Sequence, residues 1–254
     1  MAETHGIDGK KIFLLRPHSV IREDMLETLI MAGYETYTLM DENRAQKLLV
    51  KFPGSIMFIN IDDGLKEPEW EAYIKKIQED KATAESRLGI MSYNQDKQLM
   101  HKYLMEMEVP CGYIQLKLGL NESTKIILGA LEANEARGRR RSIRADCEDD
   151  LTATLNYRGD HGMYHGKILD ISSAGIAVRM EKYDSLPVNT PLKQVQLKLR
   201  GGLIMTDMIY MGQRHASRDV FIFTFSPGIS LDNKLVIYRY VKINLQKFID
   251  TLKV

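Results

Sequence analysis

The sequence has few of the features that would tie it to a membrane, an oxidising compartment or a polyanion. Its 254 residues include only two cysteines, Cys111 and Cys147, so free thiols in a reducing cytosol are expected. No apolar run approaches the roughly 20 residues of a membrane-spanning helix, and the first residues lack the pattern of a signal peptide. Lys and Arg number 35 against 34 Asp and Glu, so the net charge of +1 creates no global field for polyanions. We therefore expect a cytoplasmic protein without a membrane span, in which anion binding depends on a local cluster of charge.

Catalytic and metal-binding constellations are also scarce. No pairing of a nucleophile with a base is recognisable, which favours a receptor over an enzyme. His161 and His165 lie four residues apart in a predicted hairpin, but no third ligand accompanies them, so no metal is expected. Cys147 follows an arginine-rich segment, and positive charge nearby would lower the pKa of its thiol.

Strands and helices alternate five times in about the first 135 residues. The strands predicted from apolar runs and alternation are 11–15, 34–39, 55–61, 87–92 and 112–116. The helices predicted from apolar spacing are 19–32, 42–52, 69–79, 97–107 and 121–136. The unbroken apolar run of 55–61 is typical of a central strand. This order predicts an α/β domain with a doubly wound parallel sheet.

The remainder of the chain has the pattern of short strands joined by polar turns. Six strands are predicted at 151–157, 163–171, 176–180, 193–200, 203–212 and 219–225. Apolar residues from Ile237 to Leu252 then follow helical spacing. The fold class is therefore α/β followed by β, with a six-stranded antiparallel barrel and a C-terminal helix in the second part.

Two short segments about thirty residues apart carry the candidate chemistry. The first, 137–144, holds five arginines and no acid, and their planar forks suit phosphate oxygens and the O6/N7 edge of guanine. The second, 170–175, offers the Asp170 carboxylate, the Ser172 and Ser173 hydroxyls and Gly175 at a strand end. A carboxylate is the acceptor that the N1 and N2 protons of guanine need. Together the two segments predict a guanine-nucleotide site.

The order and spacing of these segments resemble those of a known family. Arg140 and Arg144 form an RxxxR pattern, and 170–175 forms a DxSxxG pattern followed by an apolar strand. This combination resembles the PilZ domain, a small β-barrel that binds the bacterial second messenger cyclic di-GMP. The resemblance covers roughly residues 137–254. It implies a second-messenger effector with cyclic di-GMP as its ligand.

The resemblance also implies roles for individual residues. Arg140 and Arg144 would bind guanine edges and phosphates, and Arg139 and Arg141 would assist if the ligand binds as a stacked pair. Asp170 would accept from guanine or hold an arginine in place. Ser172, with Ser173 beside it, would donate to a phosphate or base edge, and Gly175 would let the backbone approach the base.

The first part resembles a response-regulator receiver in its order of elements but not in its chemistry. Arg16-Pro17-His18 stands where a receiver has the acidic pair that binds Mg²⁺, and Asn60 stands at the phosphoryl-accepting position. An amide cannot form an acyl phosphate. Asp62 and Asp63 could be out-of-register substitutes or solvated loop residues. We expect a non-phosphorylatable domain that serves as a surface for a protein partner or for homodimerisation.

The predicted organisation is a receiver-like α/β domain at 1–134, an arginine-rich linker at 135–145 and a PilZ-like barrel with its C-terminal helix at 146–254. Ligand binding that orders the linker would reorient the domains and signal to a protein partner. Two alternatives stay open. The chain could be a PilZ-like scaffold that binds no ligand, or a nucleic-acid-binding regulator that uses the arginine cluster, although the balanced charge argues against nucleic acid. Taken singly, a basic run is usually a solvated linker, and Asp-x-Ser-x-x-Gly is usually an ordinary turn.

Overall fold

The computed structural model describes residues 9–138, 140, 142–183, 186–200, 202–214 and 217–254. Within it the chain divides into two compact units, Met1–Arg141 together with Ile249–Val254, and Ser142–Phe248. Each unit has its own sheet.

The first unit is built on a five-stranded parallel sheet. Its elements are β1 (Ile12–Leu15), α1 (Ser19–Met31), β2 (Thr36–Leu39), α2 (Glu42–Lys51), β3 (Ile56–Asn60), α3 (Glu67–Glu79), β4 (Arg87–Ser92), α4 (Lys97–His101), β5 (Tyr113–Gln115) and α5 (Leu120–Ala133). The strand order is β2-β1-β3-β4-β5, that of the flavodoxin-like doubly wound fold to which receivers also belong. The predicted receiver-like α/β arrangement is confirmed.

The composition of the central strands explains this arrangement. Every residue of β1 and β3 is buried, because helices cover both faces of a parallel sheet. Ile12 and Leu14 of β1 pack with Phe58 of β3 in a cluster that also includes Ile127 and Leu131 of α5. The apolar runs of the sequence therefore become the core of this unit.

One predicted helix is interrupted. The spacing predicts a helix over 97–107, but α4 ends at His101 and a wider π-type turn follows at Lys102–Glu106, in which Met107 N donates to Lys102 O at 2.9 Å. In this turn Tyr103 is buried, and Lys102 forms ion pairs with Glu67 and Glu71 of α3. These contacts with α3 are tertiary, so helical spacing alone does not show the change of pitch.

The second unit is a closed antiparallel barrel followed by a helix. Its elements are β6 (Arg144–Asp146), β7 (Thr154–Gly159), β8 (Gly162–Ser172), β9 (Gly175–Met180), β10 (Pro191–Leu199), β11 (Gly202–Arg214), β12 (Ser217–Phe225) and α6 (Leu231–Thr251). Six strands pair in the cyclic order β7-β8-β9-β12-β11-β10, and β10 closes the ring by pairing with β7. The predicted six-stranded barrel with its C-terminal helix is confirmed. The short strand β6, which the sequence did not predict, adds to β8.

Aromatic side chains fill the inside of the barrel. The stacked rings of Tyr157 and Tyr164 have centroids 5.1 Å apart, and the ring centroids of Tyr210 and Phe223 are 5.6 Å apart. One face of α6 is buried and includes Tyr240, whose hydroxyl donates to Asp150 Oδ2 at 2.8 Å. Because successive side chains of a strand point to opposite faces, the barrel strands present one set of residues to this interior and the other to the outer surface, where the candidate site lies.

Candidate functional site

The pairing of β6 with β8 brings the end of the arginine-rich segment to the second motif. In this antiparallel register Arg144 lies opposite Ser172, and Asp146 lies opposite Asp170. The Arg144 side chain is ion-paired with Asp170, with Nη1 and Oδ1 3.5 Å apart. Backbone hydrogen bonds between two strands therefore position one guanidinium beside the motif carboxylate.

The Ser172 hydroxyl closes the turn between β8 and β9. Its Oγ accepts from the backbone N–H groups of Ala174 and Gly175 at 3.2 and 3.3 Å and donates to the carbonyl of Gly175 at 3.2 Å. Ser172 is buried, so its first role is to shape the turn. The exposed Ser173 hydroxyl donates to Ser142 Oγ at 3.1 Å, which links the turn to the residue two positions before β6.

Gly175 is required by the barrel itself. A Cβ at this position would lie 2.2 Å from the carbonyl oxygen of Phe223 and 2.9 Å from the Cα of Thr224. Both atoms belong to the backbone of β12, which pairs with β9, and cannot move aside easily. The sequence predicted a glycine for approach to a base, and the structure adds a steric reason within the barrel.

Arg214 is a member of the site that the sequence did not predict. Its Nη2 donates to Asp170 Oδ2 at 2.7 Å, a closer contact than that of Arg144. Arg214 lies at the end of β11, 44 residues from Asp170, in neither motif. A glycine at 212 in an otherwise strand-like run could have indicated a bulge, but not the direction of the arginine.

These residues border an open cavity on the outside of the barrel. Its polar side is formed by Arg144, Asp170 and Ser172, and its other side by residues of β9 and β12. The lining residues from those two strands are Gly175, Ile176, Ala177, Ile222, Phe223 and Thr224. The cavity therefore offers cationic, acceptor and apolar surfaces together, as a purine nucleotide requires.

Cys147 corrects an expectation from the sequence. The nearby arginines predicted a lowered thiol pKa, but the side chain is buried, and burial raises the pKa of Cys147 to about 12. Burial likewise raises the pKa of the Cys111 thiol to about 11. Desolvation of the thiolate outweighs the hydrogen bond with Tyr240 at Cys147 and the positive charges of Arg87 and Lys10 at Cys111.

In the first unit, the carboxyl-end edge of the parallel sheet carries an arginine where receivers have acids. The Arg16 guanidinium is ion-paired with Glu42 and lies 3.8 Å from Asp63, and the Glu42 hydrogen bond raises the pKa of Arg16. Asn60 Nδ2 donates to the carbonyl of Arg16 at 2.8 Å. Asp62 accepts from the Ser92 hydroxyl and from Tyr93 N. The Asp62 carboxylate, in the loop after β3, is therefore already hydrogen-bonded to the end of β4.

Among the described residues, no three His, Cys, Asp or Glu side chains are grouped to hold a metal ion. Within the same part of the chain, no helix combines the length and apolarity needed to cross a bilayer.

Comparison with known proteins found similar solved structures only. No protein-family model and no curated protein matches the sequence. The PilZ domain with c-di-GMP of YcgR from Escherichia coli is 14% identical, covering 45% of this chain and 99% of that one, with a TM-score of 0.38. The complex of K. pneumonia MrkH with c-di-GMP is 22% identical, covering 41% of this chain and 51% of that one, with a TM-score of 0.34. The signal receiver domain of an HD domain-containing protein from Pseudomonas fluorescens Pf-5 is 16% identical, covering 53% of this chain and 95% of that one, with a TM-score of 0.42.

With TM-scores below 0.5, these similarities decide neither ligand nor partner, and the residues of the chain itself must support any function. This chain spans about half the length of the MrkH chain that it matches.

The structure brings together Arg144, Asp170, Ser172 and Gly175, with Ser173 on the adjoining turn. Arg140 is exposed and belongs to the first unit, so its role in ligand binding stays a prediction. Arg139 and Arg141 lie outside the described residues, and their predicted roles stay predictions as well.

Proposed function

We propose that the chain is a cytoplasmic receptor for cyclic di-GMP rather than an enzyme, and that it passes the level of this messenger to a protein partner. The observation that supports the proposal best is the β6–β8 pairing, which places Arg144 opposite Ser172 and its guanidinium beside Asp170. Guanine presents acceptors at O6 and N7 and donors at N1 and N2, so it can use an arginine and a carboxylate at once.

The cavity supports a nucleotide over a simple anion. Ile176, Ala177 and Ile222 line it together with the charged groups, and an apolar wall suits the face of a base. A site for inorganic phosphate alone would need only the cations. The Asp170 carboxylate would repel such an ion, whereas it matches the N–H edge of guanine.

Transmission to a partner is proposed to depend on the arginine segment. Arg140 and Arg144 belong to different compact units of the chain. A ligand bound by both side chains would restrict the segment between them, and a partner protein that senses this restriction would read the ligand level. Small-angle scattering of the full chain with and without cyclic di-GMP tests this step, and identical scattering curves at saturation would contradict it.

Ligand competition and salt dependence test the receptor function against its alternatives. Saturable binding of cyclic di-GMP, with weaker binding of cyclic di-AMP, supports the proposal, because adenine lacks the O6 acceptor and N1 donor of guanine. Binding of duplex DNA that falls steeply with salt and is not displaced by cyclic di-GMP would indicate the nucleic-acid regulator. The absence of binding to either ligand would indicate a scaffold.

A further inference from the structure

Within the part of the chain that the structure describes, the closest charged contact of Asp170 is made by an arginine outside both motifs. Arg214 Nη2 lies 2.7 Å from Asp170 Oδ2, whereas Arg144 Nη1 lies 3.5 Å from Asp170 Oδ1. The Asp170 side chain is only 20% exposed, so both guanidinium groups face a largely desolvated carboxylate. Its two oxygens therefore have different partners, one at hydrogen-bonding distance and one held loosely.

A distortion of the β11–β12 pair precedes this contact. Gly212, Ile222, Ala177 and Asp170 are successive partners across β11, β12, β9 and β8. The register between β11 and β12 shifts on each side of Gly212 and Gln213, and Gly212 has a φ of 115°, which favours glycine. Bulges of this kind redirect the side chains that follow them. Arg214 comes two residues later, and its guanidinium reaches the carboxylate on β8.

From this geometry we infer that Arg214 is a positioning residue for recognition of the ligand by Asp170, an inference that rests on the proposed function. An ionised carboxylate has about four acceptor positions. Arg214 occupies Oδ2 and fixes the orientation of the group. Oδ1 then accepts from the N1 and N2 protons of guanine, and Arg144 is released from its loose ion pair to bind the base edge or a phosphate.

Loss of Arg214 has two consequences in this arrangement. The carboxylate loses the hydrogen bond that orients it, and Arg144 becomes its main counter-charge and is held back from the ligand. Arg214→Gln therefore weakens binding of cyclic di-GMP about tenfold or more. Arg214→Lys recovers part of the affinity, since it restores the charge without the planar fork.

Calorimetric titration of the full chain with cyclic di-GMP tests the inference, with Arg179→Gln as the matched control. Arg179 also lies on the outer surface of the barrel but pairs with Asp219 and Glu148, so its loss leaves affinity within about twofold. The same titration with cyclic di-IMP, which lacks the N2 amino group, tests the orientation of Asp170, because a correctly oriented carboxylate accepts from that group. The parent prefers cyclic di-GMP, and Arg214→Gln loses most of that preference.

A double-variant cycle with Asp170→Asn separates positioning from direct contact. If Arg214 acts through Asp170, Arg214→Gln has little further effect in the Asp170→Asn background. An equal loss in both backgrounds would overturn the inference by showing that Arg214 binds the ligand itself. Unchanged affinity and preference in Arg214→Gln would overturn it while leaving the receptor function intact, and no binding by the folded parent protein would remove both. If Arg214→Gln fails to fold, Arg214→Lys decides: an unchanged preference for cyclic di-GMP overturns the inference.

Discussion

Arg144 lies directly opposite Ser172 in the antiparallel pairing of β6 with β8, and its guanidinium is 3.5 Å from the carboxylate of Asp170. Two segments separated by 25 residues of chain are thus joined through backbone hydrogen bonds. The position of the arginine does not depend on a flexible leader closing over the barrel. A ligand that needs a cation and a carboxylate side by side finds both preformed.

Gly175→Ala is expected to destabilise the barrel by about 1 to 3 kcal/mol, because the added methyl would lie 2.2 Å from the carbonyl of Phe223. Thermal unfolding measures the change. Gly228→Ala is the matched control, because Gly228 has open space around its Cβ position and no positive φ. Equal stability of the two variants would show that β9 and β12 can separate without cost.

Tyr240→Phe is expected to cost about 1 to 3 kcal/mol, since it leaves the buried Asp150 carboxylate without its partner on α6. Burial raises the pKa of Asp150, but hydrogen bonds from Thr152 and Tyr240 outweigh it and hold the pKa below its ordinary value. The stabilisation is therefore complete above the unfolded pKa of about 3.9 and is lost as the pH falls through the lower folded pKa.

Denaturant unfolding at pH 7 and at pH 3 measures this dependence. The difference in stability between the parent and Tyr240→Phe should shrink at the lower pH. Tyr238→Phe, a change on the same helix at a partly exposed position, serves as the control. A difference that is constant across this range would mean that the tyrosine acts through packing alone.

Both cysteines are expected to resist thiol reagents in the folded protein. With a pKa of about 12, roughly one Cys147 thiol in ten thousand is ionised at pH 8, and the side chain is buried. A chromogenic disulfide reagent should therefore react slowly with native protein and rapidly, at two thiols per chain, after denaturation. Fast reaction of one thiol in native protein would contradict the burial of that cysteine.

The first unit is expected not to accept a phosphoryl group from acetyl phosphate in the presence of Mg²⁺. Asn60 cannot form an acyl phosphate, and Arg16, paired with Glu42, stands where a receiver has its acidic pair. Intact-mass measurement should show no adduct for the parent or for Asn60→Asp, which restores the acceptor but not the metal site. An adduct on Asn60→Asp alone would mean that Arg16 does not prevent metal binding.

The sequence was sufficient for the parts of the fold that depend on local pattern. Unbroken apolar runs predicted the buried strands β1 and β3, and alternation predicted the six strands of the barrel. The strand β6 was missed because three residues are too few to show a period and its partner lies on β8. The π-type turn after His101 was missed because contacts with another helix accompany the change of pitch.

The residues of the candidate site likewise include some that local sequence pattern predicted and one that it could not. Residue types and their order predicted Arg144, Asp170, Ser172 and Gly175. Arg214 could not be predicted, because a bulge and three strand pairings bring it across 44 residues of sequence to Asp170. The predicted lowering of the Cys147 pKa was wrong for a related reason, since the burial that raises it is a property of the folded chain.

The most direct test of the receptor function is a calorimetric titration of cyclic di-GMP into the full chain and two variants. Arg144→Ala removes the guanidinium beside Asp170, and a lost charge-assisted contact of about 1.5 to 3 kcal/mol predicts a ten- to hundredfold weaker affinity. Arg179→Ala, which removes an arginine from the same barrel outside the cavity, should bind as the parent does. Saturable heat from the parent and from Arg179→Ala, with a large loss in Arg144→Ala, is the predicted result. No heat from the folded parent, or equal affinity of all three proteins, would contradict the account.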